Sequence, residues 1–136
     1  MSMPMIALDE SPDGYRPGAC NIGPAEIARR RRSGIVGLAI AAGLAAALLL
    51  VSAPPAVRWL VALPLAGGVI GLLQARLRFC AGFGIAGVRN FGPLGRVGRV
   101  EDPAARRADR ARALAIAAAG AAAGLAGALL LVVLPA

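Results

Sequence analysis

The sequence predicts an all-α membrane protein with three transmembrane helices. Apolar residues make up 58% of the 136 residues, and the mean hydropathy of +0.70 is typical of a chain that lies in lipid. Three long apolar runs predict helices at about 33–53, 58–76 and 103–134. Arginines cluster at the ends of these runs, which is the pattern of membrane topology.

The first two helices are predicted to form a transmembrane hairpin over 24–78. Pro24 suits the first position of a helix, and Glu26 meets the unpaired N–H groups of the first turn. At about 1.5 Å per residue, the run 33–53 is about 31 Å long and crosses a hydrocarbon core of about 30 Å. The turn at 52–55, which contains two prolines, then divides the hairpin.

The second helix is shorter, because the run between Arg58 and Arg76 is only about 26 Å long at helical rise. Both arginines can extend their charged groups to the interface, and Trp59 fits an aromatic belt, so this run still spans a bilayer. Pro64 predicts a kink near its start.

The segment 79–102 predicts an irregular interfacial loop, because its many glycines disfavour a stable helix. Residues 82–87 match the pattern GxGxxG. A dinucleotide site needs a strand before this pattern, a helix after it and an acid about 20 residues later. A transmembrane helix precedes the match instead, glycines continue after it, and Glu101 and Asp102 come too early, so we interpret the match as chance.

The third helix is predicted within 103–136 and has an amphipathic start. Asp102 suits the N-cap and Pro103 the first helical position. Asp109 is spaced to pair with Arg106 and Arg112. One continuous helix to about residue 134 is the simplest interpretation of the pattern.

The arginine distribution predicts the orientation of the chain. Short arginine-rich segments stay on the cytoplasmic side, and 76–112 is rich in arginine whereas the turn at 52–58 holds only Arg58. We therefore expect an irregular cytoplasmic arm at 1–23, a cytoplasmic loop at 79–102 and an external C-terminus, that is, N-in/C-out.

The composition indicates a bacterial source. Every basic residue is an arginine, and alanine and glycine are abundant, as in proteins from GC-rich genomes. We expect a multi-pass protein of the bacterial inner membrane. A signal peptide over 29–56 is the alternative, and the apolar run that follows so closely disfavours it.

The net charge of +8 suggests either nucleic acid or anionic lipid as a partner. Because the arginines flank apolar runs, we favour a lipid bilayer with anionic headgroups and expect no nucleic acid. Seven arginines are predicted to contact lipid phosphates: Arg29, Arg30, Arg31, Arg32, Arg89, Arg96 and Arg99.

Small residues recur at four-residue spacing in every predicted span, including Ala39, Gly43 and Ala47. In lipid, close approach of backbones through small residues drives helix packing. We expect packing within the chain, with a homodimer or a larger membrane complex as the alternative. The glycines predicted to pack are Gly43, Gly67, Gly71, Gly120 and Gly124.

The two cysteines, Cys20 and Cys80, are predicted to share the cytoplasmic side. A disulfide needs Cα atoms within about 7 Å, which requires either the arm to fold back or 24–32 to lie along the interface. Neighbouring arginines favour a reactive thiolate. The two are either unremarkable interfacial residues or a thiol pair, with palmitoylation or metal binding as further alternatives.

Histidine is absent from the sequence, and histidine is the usual ligand of haem and catalytic zinc. Two cysteines supply too few ligands for a four-ligand metal site within one chain. We expect no cofactor and no metal. No arrangement of a nucleophile with a base is recognisable, so catalytic activity is not expected.

The residues Asn21-Ile22-Gly23, Glu26 and Arg29, followed by a hairpin and Phe79-Cys80, resemble a small two-helix bacterial membrane domain. That domain is often fused to rhodanese (sulfurtransferase) modules, and the resemblance covers residues 20–90. It implies a helical hairpin that dimerises, and it implies a role for Cys80 in sulfur handling. The chain departs from the family in having Ala81 after the cysteine, an additional helix and no rhodanese module.

Three functions follow as hypotheses. The first is a non-enzymatic structural or accessory protein that packs through small-residue helix faces. The second is a thiol or sulfur-transfer protein that uses Cys20 and Cys80. The third is an anionic-lipid-binding membrane protein.

Overall fold

The computed structural model describes residues 14–135, and within them the chain is an all-α membrane protein. Three helical spans are long and apolar enough to cross a membrane: Pro24–Leu50, Pro55–Leu77 and Pro103–Val133. The predicted fold class is confirmed. The first thirteen residues of the predicted arm, and the last residue of the predicted C-terminal segment, lie outside the described residues.

Eight elements make up these spans and their connections in the described chain. Helix α1 is Pro24–Leu50, and the second span consists of α2 (Pro55–Arg58), a 3₁₀ turn (Trp59–Val61) and α3 (Ala62–Leu77). A short helix α4 (Ala81–Ala86) and a pair of two-residue strands, β1 (Val88–Arg89) and β2 (Gly98–Arg99), lead to α5 (Pro103–Val133).

Helix α1 includes the run of arginines and continues straight from it into the apolar run. It begins at Pro24, as predicted, and stops at Leu50 before Ser52 turns the chain with a left-handed φ of 52°. The second span begins at Pro55, before the predicted start. Its irregularity lies at the 3₁₀ turn (Trp59–Val61), which includes Leu60, the residue whose carbonyl would accept the N–H that Pro64 lacks.

Helix α3 lies at the centre of the bundle and contacts α1 and α5. Gly34 of α1 faces Gly71 of α3 so closely that a Cβ added at Gly71 would lie 2.7 Å from the Gly34 Cα atom. On the other side, a Cβ added at Gly124 of α5 would lie 2.7 Å from the Ala62 carbonyl oxygen. Small residues therefore set both interhelical distances.

The two ends of the bundle differ in charge. We call the end formed by the start of α1, the end of α3 and the start of α5 the arginine-rich end, and the end at 51–58 and 131–135 the turn end. The core at the arginine-rich end surrounds Phe79, Ala113 and Ile116, all buried. The core at the turn end surrounds Ala41, Val61 and Leu131.

The segment 79–102 differs from the irregular loop that we predicted. Helix α4 packs against α5, and β1 pairs with β2 in antiparallel register with Val88 opposite Arg99. A Cβ at Gly84 would lie 2.8 Å from the Asp109 carbonyl oxygen, so the absence of a side chain allows α4 to approach α5. Gly87 then ends α4 with a φ of +75°. Tertiary contact here outweighs the weak helix propensity of glycine.

The described part of the arm folds back onto the arginine-rich end. A turn brings Arg16 opposite Cys20, and Ile22 forms a parallel bridge with Asn90. Gly23 is pressed against the backbone of Phe91, where an added Cβ would lie 2.8 Å from the Phe91 Cα atom. The described part of the arm, residues 14–23, is therefore packed as part of the fold.

Candidate functional site

A cluster of buried polar side chains lies at the arginine-rich end, and we call it the polar cap. It joins the arm, the start of α1 and the segment that follows α3. The members are Asn21, Glu26, Arg30, Cys80 and Asn90, whose exposed fractions run from 0% for Asn21 to 9% for Arg30.

Asn21 and Cys80 form a reciprocal pair. The Asn21 side-chain oxygen accepts a hydrogen bond from the Cys80 backbone N–H at 2.7 Å, and the Asn21 amide donates to the Cys80 carbonyl oxygen at 3.1 Å. The Asn21 backbone N–H also donates to the carbonyl oxygen of Arg78. One asparagine thus provides hydrogen-bond partners for the backbone groups of Arg78 and Cys80, which lie between α3 and α4.

Glu26 is buried but paired on both of its carboxylate oxygens. Arg30, one helical turn later, forms a salt bridge to Oε1, and Asn90 donates to Oε2 at 2.7 Å. Buried carboxylates are stable in proteins when their charge and acceptor sites are satisfied in this way. The predicted capping residue of α1 therefore serves the polar cap.

Arg30 extends from Glu26 to Cys80. Its Nη2 donates to the Cys80 Sγ atom at 2.9 Å, and its guanidinium lies over the ring of Phe83, 5.1 Å from the centroid. We predicted a lipid contact for Arg30, but the side chain points into the protein. A position on the inner face of α1, beside Glu26 and Gly34, accounts for the difference.

The cysteines have separate surroundings. Cys20 and Cys80 are both free and buried. The Cys20 Sγ donates weakly to the Ile22 carbonyl oxygen, with a separation of 3.8 Å, whereas the Cys80 Sγ accepts from Arg30. The arm does fold back, as a thiol pair requires, but each sulfur contacts a different group.

Asp109 of α5 anchors the arm at a second point. It accepts hydrogen bonds from the Tyr15 hydroxyl and from the Gly18 backbone N–H, both at 2.7 Å. The pairing of Asp109 with Arg106 and Arg112 that we predicted is replaced by these contacts, because Asp109 lies on the buried stripe of α5. Burial, and then the hydrogen bond to Asp109, raise the pKa of Tyr15 above its ordinary value.

The four consecutive arginines of α1 point in three directions, because successive residues of a helix differ by about 100°. Arg30 points into the polar cap. Arg29 and Arg32 line a groove of about 450 Å³ whose apolar part includes Val36, Ile40 and Gly67. Arg31 lines a separate cleft of about 680 Å³, which we call the arginine cleft.

The remaining predicted lipid contacts lie on the loop after α4. Arg89 and Arg96 line a cavity of about 480 Å³, and the guanidinium of Arg89 also lies 5.2 Å from the centre of the Tyr15 ring. Arg99 is exposed on β2. Phe91 lines both this cavity and the cleft beside α1. Because Arg30 is buried in the polar cap, the seven predicted arginines do not all lie on the surface.

The predicted packing glycines divide into two groups. Gly71, Gly120 and Gly124 are buried between helices. A Cβ added at Gly43 or Gly67 meets no atom within 4 Å, so these two do not pack against another helix of the described chain. Helices α1 and α3 are rotated about their axes so that Gly34, Gly37 and Gly68 lie at the α1–α3 contact instead of Gly43 and Gly67.

Arg58 has a structural role, whereas the sequence predicts only an arginine that extends to the interface. It is buried at the turn end, where Nη1 donates to the carbonyl oxygens of Leu131 at 3.0 Å and Leu134 at 2.7 Å, and Nε donates to that of Ala53. These bonds satisfy the free carbonyls at the end of α5. The sequence signal for this role is that Arg58 is the single arginine in an otherwise apolar turn.

The role of Asn90 is also not evident from the sequence, because an asparagine in a glycine-rich loop is ordinarily a turn residue.

Within residues 14–135, no group of three or more histidine, cysteine, aspartate or glutamate side chains could hold a metal ion. Comparison of the chain with protein-family models, with curated proteins and with solved structures gives no match.

Proposed function

We infer that the chain is a non-enzymatic accessory protein of the bacterial inner membrane, which packs through the outer face of α1 against another copy or a larger membrane complex. The distribution of arginine supports an orientation with the arginine-rich end in the cytoplasm and the C-terminus outside. The abundance of alanine, glycine and arginine supports a bacterial source.

The observation that carries this inference is that the polar groups of the polar cap, and Asp109 beside it, are engaged within the fold. The two described carboxylates that are buried, Glu26 and Asp109, are satisfied by contacts within the chain, and both thiols are buried. Such groups stabilise a fold, and they present little to a substrate. What the described chain presents outward is a set of arginines at one end and apolar helix faces.

The outer face of α1 supplies the packing surface. Ala39, Gly43 and Ala47 are exposed along one side of the helix, and the open position of Gly43 leaves room for a second backbone. Because lipid provides little hydrophobic drive between helices, a face of small residues favours close helix–helix contact. The larger exposed side chains of α5, among them Leu125 and Leu129, favour contact with lipid tails.

Photo-crosslinking in native membranes tests the proposal. A photoreactive amino acid at Ala47 should give a discrete protein adduct, either with a second copy or with another membrane protein. The matched control places the same amino acid at Leu125 on α5, where only lipid adducts are expected. Absence of a protein adduct at Ala47, together with a monomer in gentle-detergent sizing, would rule out the packing function.

A second candidate is thiol or sulfur-transfer chemistry at Cys80. One contact favours it, the hydrogen bond from Arg30 Nη2 to Cys80 Sγ, which places a cation beside the sulfur. The salt bridge of Arg30 to Glu26 and the burial of the sulfur count against it. The reactivity of Cys80 toward an alkylating reagent separates the two candidates.

A further inference from the structure

We propose that the arginine cleft is a binding site for a phosphate group, carried either by the headgroup of an anionic phospholipid or by a free phosphate ion. The cleft lies between the arm, the start of α1 and the end of α3. Its volume of about 680 Å³ suits a headgroup or a small anion. The proposal is independent of the packing function, since it concerns a different face of the molecule.

Four arginines from three parts of the chain line the cleft: Arg16 of the arm, Arg31 of α1, and Arg76 and Arg78 at the end of α3. All four are exposed. None of them forms an ion pair with a described carboxylate, and no described carboxylate lines the cleft. Four like charges repel one another, and a bound anion removes that repulsion.

The chemistry of the lining selects phosphate among anions. Guanidinium groups present planar pairs of donors that match two phosphate oxygens at once. Pro24 and Ile27 line the same cleft, so the positive end of the α1 dipole also faces it. Ile22, Ala75 and Phe91 supply apolar surface beside the arginines, which suits the glycerol and first acyl carbons of a lipid.

The backbone of Arg78 gives an independent reason to look for function at this point. Arg78 ends α3 in the left-handed conformation, with φ 56° and ψ 42°. Glycine is the usual residue at this position, because a Cβ atom is disfavoured in the left-handed conformation. The chain has an arginine where glycine would be more stable, and its side chain lines the cleft.

The test measures retention of lipid by the full-length protein in a neutral detergent, using native mass spectrometry. The probes are phosphatidylglycerol and phosphatidylcholine. Wild type should retain phosphatidylglycerol over phosphatidylcholine by at least about tenfold, and the double variant R31Q/R76Q should lose about tenfold or more in affinity, since charge-assisted hydrogen bonds are removed. R31K/R76K, which keeps the charges, should retain part of the affinity.

The matched control is R107Q/R110Q, which removes two exposed arginines from the start of α5 and leaves the cleft intact. Its affinity should stay within about twofold of wild type, because exposed charges away from the site act only through screened long-range attraction. An equal loss of affinity in R31Q/R76Q and R107Q/R110Q would overturn the proposal. The absence of a preference for phosphatidylglycerol in wild type would also overturn it.

Two further measurements identify the source of the phosphate and separate binding from folding. Calorimetric titration of the delipidated protein with sodium phosphate, against sodium chloride, should detect binding if the ligand is a free ion. If it detects none while phosphatidylglycerol is retained, the ligand is a headgroup. R78G should weaken retention of phosphatidylglycerol without lowering the melting temperature of the protein. If R78G retains phosphatidylglycerol as wild type does, or loses it only because the protein unfolds, the site is contradicted.

Discussion

The side chain of Asn21 pairs with the backbone of Cys80 through two hydrogen bonds, of 2.7 Å and 3.1 Å, although the residues are 59 positions apart. Both residues are buried. The pair connects the arm to the break between α3 and α4, and the rest of the polar cap is arranged around it. Disturbing this pair should therefore affect the whole arginine-rich end.

Replacing Asn21 by alanine should destabilise the protein by about 2–3 kcal/mol, because the N–H and carbonyl groups of Cys80 would be left buried without partners. Thermal unfolding in mild detergent, followed by circular dichroism, measures the change. Ser33→Ala, at an exposed position of α1, is the control and should have little effect. Similar melting temperatures for N21A and wild type would show that the pair contributes nothing.

Two adjacent glycines of α3 should respond oppositely to alanine. A Cβ at Gly68 would lie 2.7 Å from the backbone nitrogen of Leu38, so G68A should force α1 away and cost about 1–3 kcal/mol. A Cβ at Gly67 meets no atom within 4 Å, so G67A should be neutral or stabilise the helix by up to about 1 kcal/mol. Equal melting temperatures for the two variants would refute the close contact of Gly68 with α1.

Arg58→Met should loosen the turn end, since the carbonyl oxygens of Leu131 and Leu134 would lose a charged donor. The expected cost is about 2–3 kcal/mol. Hydrogen exchange over the last turn of α5 should rise in R58M and remain unchanged in R107M, which removes an exposed arginine at the other end of that helix. Unchanged exchange in R58M would mean that Arg58 does not cap α5.

Docking of the arm should weaken at high pH through Tyr15. Its pKa is raised by burial and by Asp109, and Arg89 acts in the opposite direction. A raised pKa means that the folded protein holds the phenol proton more tightly than the unfolded chain. The stabilisation is therefore complete below a pH of about 10 and declines as the pH rises further.

Chemical denaturation in detergent at a series of pH values measures this effect, with Tyr15→Phe as the comparison. Wild type should lose stability above a pH of about 10 more steeply than Y15F, which carries no titrating group at that position. Identical pH slopes in the two proteins would show that the Tyr15–Asp109 contact does not control docking of the arm.

The sequence predicted the three spans because run length, helix start signals and arginine position are local properties. Pro24, Asp102 and Pro103 mark helix starts at the positions where the structure has them. Which glycines pack was not predictable in this way. Gly67 and Gly68 are neighbours with the same local pattern, and only the rotation of α3 against α1 distinguishes them.

The polar cap and the Tyr15–Asp109 contact were predictable only in part. The resemblance named Asn21, Glu26 and Cys80 as separate motif residues, but their contacts join segments far apart in the chain. Asn90 and Tyr15 gave no local signal, because their roles depend on Glu26 and Asp109 lying opposite them. Asp109 did give a local signal, because its four-residue spacing from Ala105 and Ala113 places it on the buried face of α5.

We infer that the polar cap is structural and that function lies on the outer surface of the bundle. Alkylation of Cys80 with a mass-shifting maleimide in native membranes tests this inference, with R107C as an exposed reference thiol. Cys80 should react at least about tenfold more slowly than the reference in wild type and should become faster in N21A, where the cap is opened. Reaction of wild-type Cys80 at the rate of the exposed thiol would contradict the claim and favour thiol chemistry.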